Sequence, residues 1–129
     1  MIQIDQVAVT FNKGSPLETT ALRDVSLNVP TGQFLTVIGS NGAGKSTSLN
    51  VIAGLVPVER GTVTVDGIDI THWPVHRRAS LISRVFQDPK MGTCENLSIL
   101  ENFALAQGRT QPTGLRFAIR PGARKQIAE

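Results

Sequence analysis

The sequence has few of the residues that mark disulfide-linked, metal-binding or membrane-spanning chains. It contains one cysteine, Cys94, which cannot form a disulfide within the chain, and two histidines, His72 and His76, which belong to no spaced cluster of metal ligands. No apolar run approaches the roughly 18 residues that a membrane span needs, and the first residues carry no basic stretch ahead of an apolar one. These absences predict a cytosolic chain in which Cys94 lies in a loop or in ordinary packing.

Length and composition fit one modest globular domain. The 129 residues are 40% hydrophobic, which is enough for a core and excludes a collagen-like or disordered composition. The net charge of +3 is placed unevenly, because residues 109–129 carry Arg109, Arg116, Arg120, Arg124 and Lys125. Such a tail can bind nucleic acid or a membrane surface. Phe117 is its single aromatic residue, which favours instead a solvated face that covers a neighbouring subdomain.

Three strands are predicted in the first forty residues. Residues Ile2–Phe11 alternate apolar and polar side chains with a period of two, and Ala21–Val29 follow the same pattern after a break at Gly14 and Pro16. Residues 34–38 are instead almost continuously apolar. That pattern predicts a central strand that is buried on both faces.

A helix and a hairpin are predicted next. Apolar residues at helical spacing precede Gly54, which is suited to the C-cap of a helix. Asp66-Gly67 favours a type I′ turn between two short strands, and Leu81–Phe86 has the pattern of another short strand. Between these elements we expect a packed Trp73 with solvated histidines beside it.

A second helix is predicted from Ser98 onwards. Ser98 and Glu101 stand in capping-box register ahead of apolar residues at helical spacing, and the helix should end near Gly108. Residues 109–129 contain two prolines and two glycines, and only a weak helical tendency is predicted between them.

The motif G-x-x-x-x-G-K-[ST] is present without a mismatch, between the predicted buried strand and the first helix. It consists of Gly39, Ser40, Asn41, Gly42, Ala43, Gly44, Lys45 and Ser46. Its glycines let successive N–H groups converge on one concavity, and the helix that follows adds the positive end of its dipole. The motif predicts a cradle for nucleotide phosphates, since a turn that only reverses the chain needs neither Lys45 nor Ser46.

Three side chains of the cradle have predicted roles. Lys45 bridges the β- and γ-phosphates, the Ser46 hydroxyl is a ligand of Mg²⁺, and Thr47 donates to an α-phosphate oxygen. Kinases, GTPases and transport ATPases all use such a loop. The guanine-specific pattern Asn-Lys-x-Asp does not follow the loop, and a small-metabolite kinase usually begins with the loop, whereas here two strands precede it.

The order of the motifs resembles that of the ATP-binding subunit of ABC transporters. Phe11 ends the first strand, the cradle follows the third, "GTVTVDGIDI" follows the first helix and "VFQDP" precedes the second. The resemblance extends from Ile2 to about Gly108. It implies an α/β fold, namely the P-loop NTPase fold of the ABC ATPase type with an antiparallel β subdomain and the start of a helical subdomain, in a truncated chain.

The resemblance also implies roles for two residues outside the cradle. Phe11 stands where the family places an aromatic residue, more often Tyr, against the adenine ring, and such stacking contributes roughly 0.5 to 1.5 kcal/mol beyond area burial; an ordinary core residue is the alternative. Gln87 stands at the family's Q-loop glutamine, whose amide reaches Mg²⁺ and the attacking water and links the nucleotide state to the transmembrane partner. Ser48 replaces the leucine common in relatives, at a tolerant position.

The catalytic elements that the family carries after its Q-loop are missing from the 129 residues. The sequence has no Leu-Ser-Gly-Gly-Gln signature, no apolar strand that ends in Asp and then Glu, and no later histidine. Leu97-Ser98 lacks the glycines, and Asp66 leads into a hairpin turn. Lys45 and Gln87 contribute to a catalytic set that is not complete, because no carboxylate is left to polarise water. We therefore expect this chain to bind ATP without hydrolysing it.

The cofactors implied by the resemblance are ATP and Mg²⁺. Phe11, residues 39–47 and Gln87 are implied to contact the nucleotide, with Ser46 and Gln87 at the metal. The implied domain is a partial nucleotide-binding domain, with its core and β subdomain over residues 1–87 and the start of its helical subdomain over residues 88–129.

The implied partners are those of an ABC importer at the inner face of the cell membrane. They are a transmembrane subunit, a second ATPase subunit, which forms a homodimer in full-length relatives, and a solute-binding protein; nucleic acid is not expected. Residues 86–109 are most like those of systems that import amino acids or similar small solutes. Two other functions stay open, a non-hydrolysing nucleotide-binding module that regulates a partner and an ABC ATPase of DNA repair or translation.

Overall fold

The computed structural model describes residues 1–108, apart from the side chains at positions 89, 107 and 108, and it forms two compact units. The first unit covers Met1–Leu81 and the second begins at Ile82. The basic residues of the tail and the weak helical tendency predicted for 109–129 lie outside the described residues.

The first unit contains a four-stranded antiparallel sheet. Its strands are β1 (Ile2–Phe11), β2 (Thr19–Val29), β3 (Arg60–Val65) and β4 (Ile68–Asp69), in the order β2-β1-β3-β4. The first two predicted strands and the hairpin are thereby confirmed. Asp66 and Gly67 have φ angles of 49° and 78°, the two positive values that a type I′ turn requires.

Three helices and one 3₁₀ segment complete the described chain. The helices are α1 (Lys45–Ala53), α2 (Val75–Arg78) and α3 (Ile99–Gly108), and the 3₁₀ segment is Pro89–Gly92. Both predicted helices, α1 and α3, are confirmed. Across residues 1–108, no helix combines the length and the hydrophobicity that a span of the lipid bilayer requires.

The core of the first unit is made mostly by the sheet. The buried apolar side chains are those of Ile4, Val7, Val9, Leu22, Val51, Val63, Val65 and Ile70. Ile4, Val7 and Val9 of β1 are among the apolar positions that the sequence predicted for this strand, although a register shift separates Ile4 from Val7. Helix α1 contributes Val51, which is fully buried. This shared core holds α1 in the same unit as the sheet.

Thr71 connects the end of the hairpin to β3. Its buried hydroxyl oxygen accepts a hydrogen bond from the Val63 amide at 2.8 Å, and the hydroxyl donates to Asp69 Oδ1 at 2.6 Å. The Thr71 amide donates to the same carboxylate oxygen at 2.8 Å. Because both groups stabilise the charged form, they lower the pKa of Asp69 below its ordinary value.

The prediction of a buried central strand at residues 34–38 is wrong. Within residues 1–108 no strand pairs with this segment, and the side chains of Phe34 and Ile38 are 95% and 89% exposed. An apolar run forms a strand only when a neighbour supplies partners for its N–H and C=O groups. The part of the chain that the structure describes supplies no such neighbour here.

The prediction of a strand at Leu81–Phe86 is also wrong, since these residues are not assigned to a strand and Val85 is 96% exposed. Other local predictions are confirmed. Trp73 is half-buried beneath the Arg77 guanidinium, 3.8 Å from the ring centroid, and the two histidines are exposed. Cys94 is exposed in a loop.

Replacing Ile70 by Ala should destabilise the first unit by about 2 to 5 kcal/mol, because the side chain is fully buried and its loss leaves a cavity. Ile68→Ala is the matched control, since that side chain is 44% exposed. This replacement should lower the free energy of unfolding far less than Ile70→Ala does. Urea unfolding followed by circular dichroism measures both variants. Equal losses for the two would contradict the burial of Ile70.

The lowered pKa of Asp69 predicts acid-dependent stability. A carboxylate with a lowered folded pKa stabilises the protein above its unfolded pKa of about 4, and this stabilisation is lost as the pH falls through the folded value. Asp69→Asn should therefore be less stable than the parent chain at pH 7, and the difference should shrink towards pH 3. Urea midpoints across this range measure it; a difference that does not change with pH would contradict the ionic contribution of Asp69.

Candidate nucleotide-phosphate site

The predicted cradle forms a tight loop that leads into α1. The Ala43 amide donates to the Ser40 carbonyl oxygen at 3.2 Å, and Gly42 and Gly44 both have left-handed backbones, with φ angles of 82° and 84°. Gly44 is buried, and a Cβ atom there would lie 2.8 Å from both the Ala21 carbonyl oxygen and Leu22 Cδ2. Only glycine permits this close approach, which sets the start of α1 against β2.

The N-terminus of α1 presents backbone donors to the loop. Within residues 1–108 no side chain caps it, since Gly44 occupies the N-cap position, and the first turn contains Lys45, Ser46 and Thr47 but no acidic residue. The amides of a first turn have no partners within their own helix. Together with the positive end of the helix dipole, they make a site suited to an anion.

The Lys45 side chain folds back over the cradle. Its ammonium donates to the Gly39 carbonyl oxygen at 2.7 Å and to the Ser40 carbonyl oxygen at 2.6 Å. The charge is therefore held at the loop by two neutral acceptors. A phosphate oxygen is a stronger acceptor for an ammonium than a carbonyl is, so a bound phosphate would compete for both of these hydrogen bonds.

The opposite end of α1 is fixed by Arg78, which is 3% exposed. Its guanidinium donates to four carbonyl oxygens: Val51 at 2.7 Å, Ile52 at 2.9 Å, Thr71 at 2.8 Å and Trp73 at 2.9 Å. The first two belong to the last turn of α1, which has no basic residue of its own. Arg78 thus brings a cation to the negative end of the helix dipole from another element.

Gly54 makes room for this arginine. It lies at the C-cap of α1 with a φ angle of 81°, and a Cβ atom there would lie 2.8 Å from Arg78 Nε. Sequence reasoning identified Gly54 as a cap but did not identify Arg78. Nothing in the sequence distinguishes it from its neighbour Arg77, which is exposed, because the carbonyl groups it binds come from distant segments. Burial lowers the pKa of Arg78 from its ordinary value, and Asp69 opposes that shift.

Phe11 and Gln87 lie in different units. Phe11 ends β1, pairs with Thr19 and is 40% exposed. Gln87 is an exposed residue of the second unit, just before the 3₁₀ segment. Residues 39–47 form one continuous loop and helix start, and the nucleotide contacts of these residues, of Phe11 and of Gln87 stay predictions.

The second unit is ordered by caps at the start of each helical segment. The Asp88 carboxylate accepts the Lys90 amide at 2.9 Å. At α3 the Ser98 amide and hydroxyl donate to Glu101 Oε2 at 2.8 and 2.7 Å, which lowers the pKa of Glu101 and confirms the predicted capping box. Asn102 joins the preceding loop to α3, accepting the Cys94 amide at 2.8 Å.

The donors of the cradle fit a nucleotide bound with Mg²⁺. Residues 39–47 offer backbone N–H groups, one ammonium and three hydroxyls but no carboxylate, which suits phosphate groups. Within residues 1–108 no group of three His, Cys, Asp or Glu side chains could hold a metal ion by itself. This is compatible with Mg²⁺, which proteins usually bind with one or two side chains together with phosphates and water.

Comparison with known proteins agrees with this geometry. The model of the family described as ABC transporter matches residues 22–128. A tyrosine transport ATP-binding protein of Clostridioides difficile strain R20291 is 37% identical over 120 residues, which are 93% of this chain and 48% of that protein. A spermidine/putrescine import ATP-binding protein of Bacteroides thetaiotaomicron is 36% identical over 104 residues, 81% of this chain and 20% of that protein.

Solved structures of ATP-binding cassettes have the same fold. A dimeric cassette in a post-hydrolysis state bound to ADP and Pi matches with a TM-score of 0.76 and 27% identity, over 99% of this chain and 54% of that one. A nucleotide-free cassette from an ABC transporter matches with a TM-score of 0.70 and 28% identity, over 89% of this chain and 43% of that one. The chain thus spans about half the length of these cassettes. Its fold is the P-loop NTPase fold of the ABC ATPase type, and the chain belongs to the ABC transporter family.

Proposed function

We propose that the chain is an ATP-binding component of an ABC transport system and that it binds ATP with Mg²⁺ at residues 39–47. The observation that carries this proposal is the position of the Lys45 ammonium, 2.6 to 2.7 Å from two carbonyl oxygens of its own loop and at the N-terminus of α1. A site of this kind concentrates positive charge and N–H donors on one point. The names of the relatives, which are ATP-binding proteins of transport systems, support the same function.

Each residue of the cradle has a role in this proposal. Amides of the loop and of the first turn of α1 hold the phosphate oxygens, and Lys45 binds the β- and γ-phosphates as a point charge. Ser46 binds Mg²⁺, which when present supplies positive charge between the phosphates, and Thr47 donates to the α-phosphate. The remaining contacts proposed are stacking of Phe11 on the adenine ring and binding of Gln87 at the metal.

The activity proposed for this chain by itself is binding without hydrolysis. Hydrolysis requires a group that orients and polarises the attacking water, and the 129 residues contain no Asp-Glu pair at the end of an apolar strand. We also propose that this chain forms only a part of a nucleotide-binding domain. The exposure of the apolar side chains at residues 34–38 supports this proposal. In a complete cassette we expect additional strands to cover Phe34 and Ile38.

The proposed partners are a transmembrane subunit and a second ATPase subunit at the inner face of the membrane, together with a solute-binding protein. Within the partial domain we propose a core and β subdomain over residues 1–87 and the start of a helical subdomain over residues 88–129. The share of the solved cassettes that the chain covers, 43% and 54%, supports the proposal of a partial domain. Amino acids or similar small solutes are the proposed class of transported substrate.

Replacing Lys45 by Ala should reduce the affinity for Mg·ATP about 10- to 100-fold, because charge-assisted hydrogen bonds contribute roughly 1.5 to 3 kcal/mol each. Lys90→Ala is the matched control, since Lys90 is exposed in the other unit and pairs with Glu95. Fluorescence titration with a labelled ATP analogue measures affinity, and phosphate release measures turnover. Equal affinities for all three proteins would contradict the site, and Lys45-dependent hydrolysis would contradict the absence of a catalytic set.

Replacing Gly44 by Ala should reduce nucleotide affinity by at least about 10-fold. The new Cβ would meet the Ala21 carbonyl oxygen at 2.8 Å and displace the cradle from β2. Gly32→Ala separates this effect from backbone strain, because Gly32 also has a positive φ of 79° but nothing lies within 4 Å of its added Cβ. The same titration compares the two variants, and a loss of affinity in Gly32→Ala as large as in Gly44→Ala would show that the close approach is unimportant.

A further inference from the structure

The helix that carries the cradle is short. With nine residues, α1 spans about 13 Å, and helices of this length are marginally stable in water without outside contacts. The direction of its first-turn amides is the direction of the helix axis. Whatever holds the far end of α1 therefore also aims the donors of the cradle.

Arg78 adds to the backbone cap at that far end. The Gly54 amide donates to the Val51 carbonyl oxygen at 3.1 Å and the Leu55 amide donates to the Asn50 carbonyl oxygen at 2.8 Å. Arg78 donates in addition to the carbonyl oxygens of Val51 and Ile52 at 2.7 and 2.9 Å. The same guanidinium is bound to the segment after the hairpin through Thr71 and Trp73. Arg78 thus fixes α1 to a second element rather than merely capping it.

That second element is itself held to the sheet. Thr71 accepts the Val63 amide and donates to the Asp69 carboxylate, so the carbonyl that Arg78 binds belongs to a residue fixed against β3. A continuous set of hydrogen bonds therefore runs from β3 through Thr71 and Arg78 to the last turn of α1. At the other end of the helix, the close approach of Gly44 to β2 leaves the axis little freedom to tilt.

We propose that Arg78 is a positioning residue for nucleotide binding: by holding the carbonyl end of α1 it aims the backbone donors and Lys45 at the opposite end. This inference rests on the proposed function of residues 39–47. Arg78 does not touch the nucleotide in this account. It acts through the helix, and its loss should disturb the cradle while the sheet stays folded.

The test compares Arg78→Met and Arg78→Lys with Arg77→Met in the full 129-residue chain. Arg77 is the control because it is the adjacent residue of α2 and is exposed, with its guanidinium 3.8 Å from the centroid of the Trp73 ring. For each protein, circular dichroism gives the folded temperature range. Within that range, the affinity for Mg·ATPγS and the amide resonances of Gly42, Gly44 and Ile4 in nitrogen-15 spectra are measured.

The expected result is a loss of affinity of at least about 10-fold for Arg78→Met, with shifted amide resonances of Gly42 and Gly44 before any nucleotide is added and little change at Ile4. Arg78→Lys keeps the charge but cannot reach four carbonyl oxygens, so its affinity should lie between those of Arg78→Met and the parent chain. Arg77→Met should have the affinity of the parent chain. Should Arg78→Met not fold, Arg78→Lys provides the second variant, since it keeps the charge but loses part of the contact with four carbonyl oxygens.

Folded variants at position 78 with parental affinity and unshifted Gly42 and Gly44 resonances would overturn the proposal. A lower unfolding temperature with unchanged Gly42 and Gly44 resonances would also overturn the proposal, because it would show that Arg78 stabilises the fold without positioning the cradle. Failure of the parent chain itself to bind Mg·ATPγS would contradict the proposed function, whereas the ligand-free amide resonances would still decide whether Arg78 positions the cradle.

Discussion

Helix α1 is attached to the rest of the first unit at both of its ends. One end of this helix lies so close to β2 that only glycine fits at position 44, and the other end is bound by the buried guanidinium of Arg78. At one end the Ala21 carbonyl oxygen limits position 44, and at the other end the Arg78 side chain binds backbone carbonyl oxygens of α1. In the proposed function the amides of the loop must point at one place, and the attachment of this nine-residue helix at both ends sets their direction.

The electrostatics of the two helix ends are complementary. Lys45 places an ammonium at the N-terminal end, where the helix dipole is also positive, so this end favours an anion. In the structure, the ammonium donates to two carbonyl oxygens of the loop. Arg78 places the opposite kind of contact at the C-terminal end, a cation against carbonyl oxygens. The cost of burying that cation is offset by four hydrogen bonds to the backbone. The helix is thus stabilised at the end away from the ligand and left open to an anion at the end that faces it.

Local features of this fold could be predicted from the sequence because their causes are local. The cradle, the Asp66-Gly67 turn and the Ser98–Glu101 capping box each depend on residues within a few positions of one another. The strand predicted at residues 34–38 failed for the opposite reason. Its apolar pattern describes side chains that suit a core, but a strand also needs a neighbour, and within residues 1–108 none pairs with it. The role of Arg78 could not be predicted from the sequence for a similar reason, since its hydrogen-bond partners are spread over residues 51–73.

A crystal structure of the chain with Mg²⁺ and ATPγS would test whether residues 39–47 bind the phosphates of ATP, as we propose. We expect phosphate oxygens at the amides of the loop and of the first turn of α1, with the Lys45 ammonium turned away from the Gly39 and Ser40 carbonyl oxygens and towards the phosphates. A nucleotide bound elsewhere, or a Lys45 side chain that keeps both of its loop hydrogen bonds in the complex, would show that residues 39–47 do not bind the phosphates in this way.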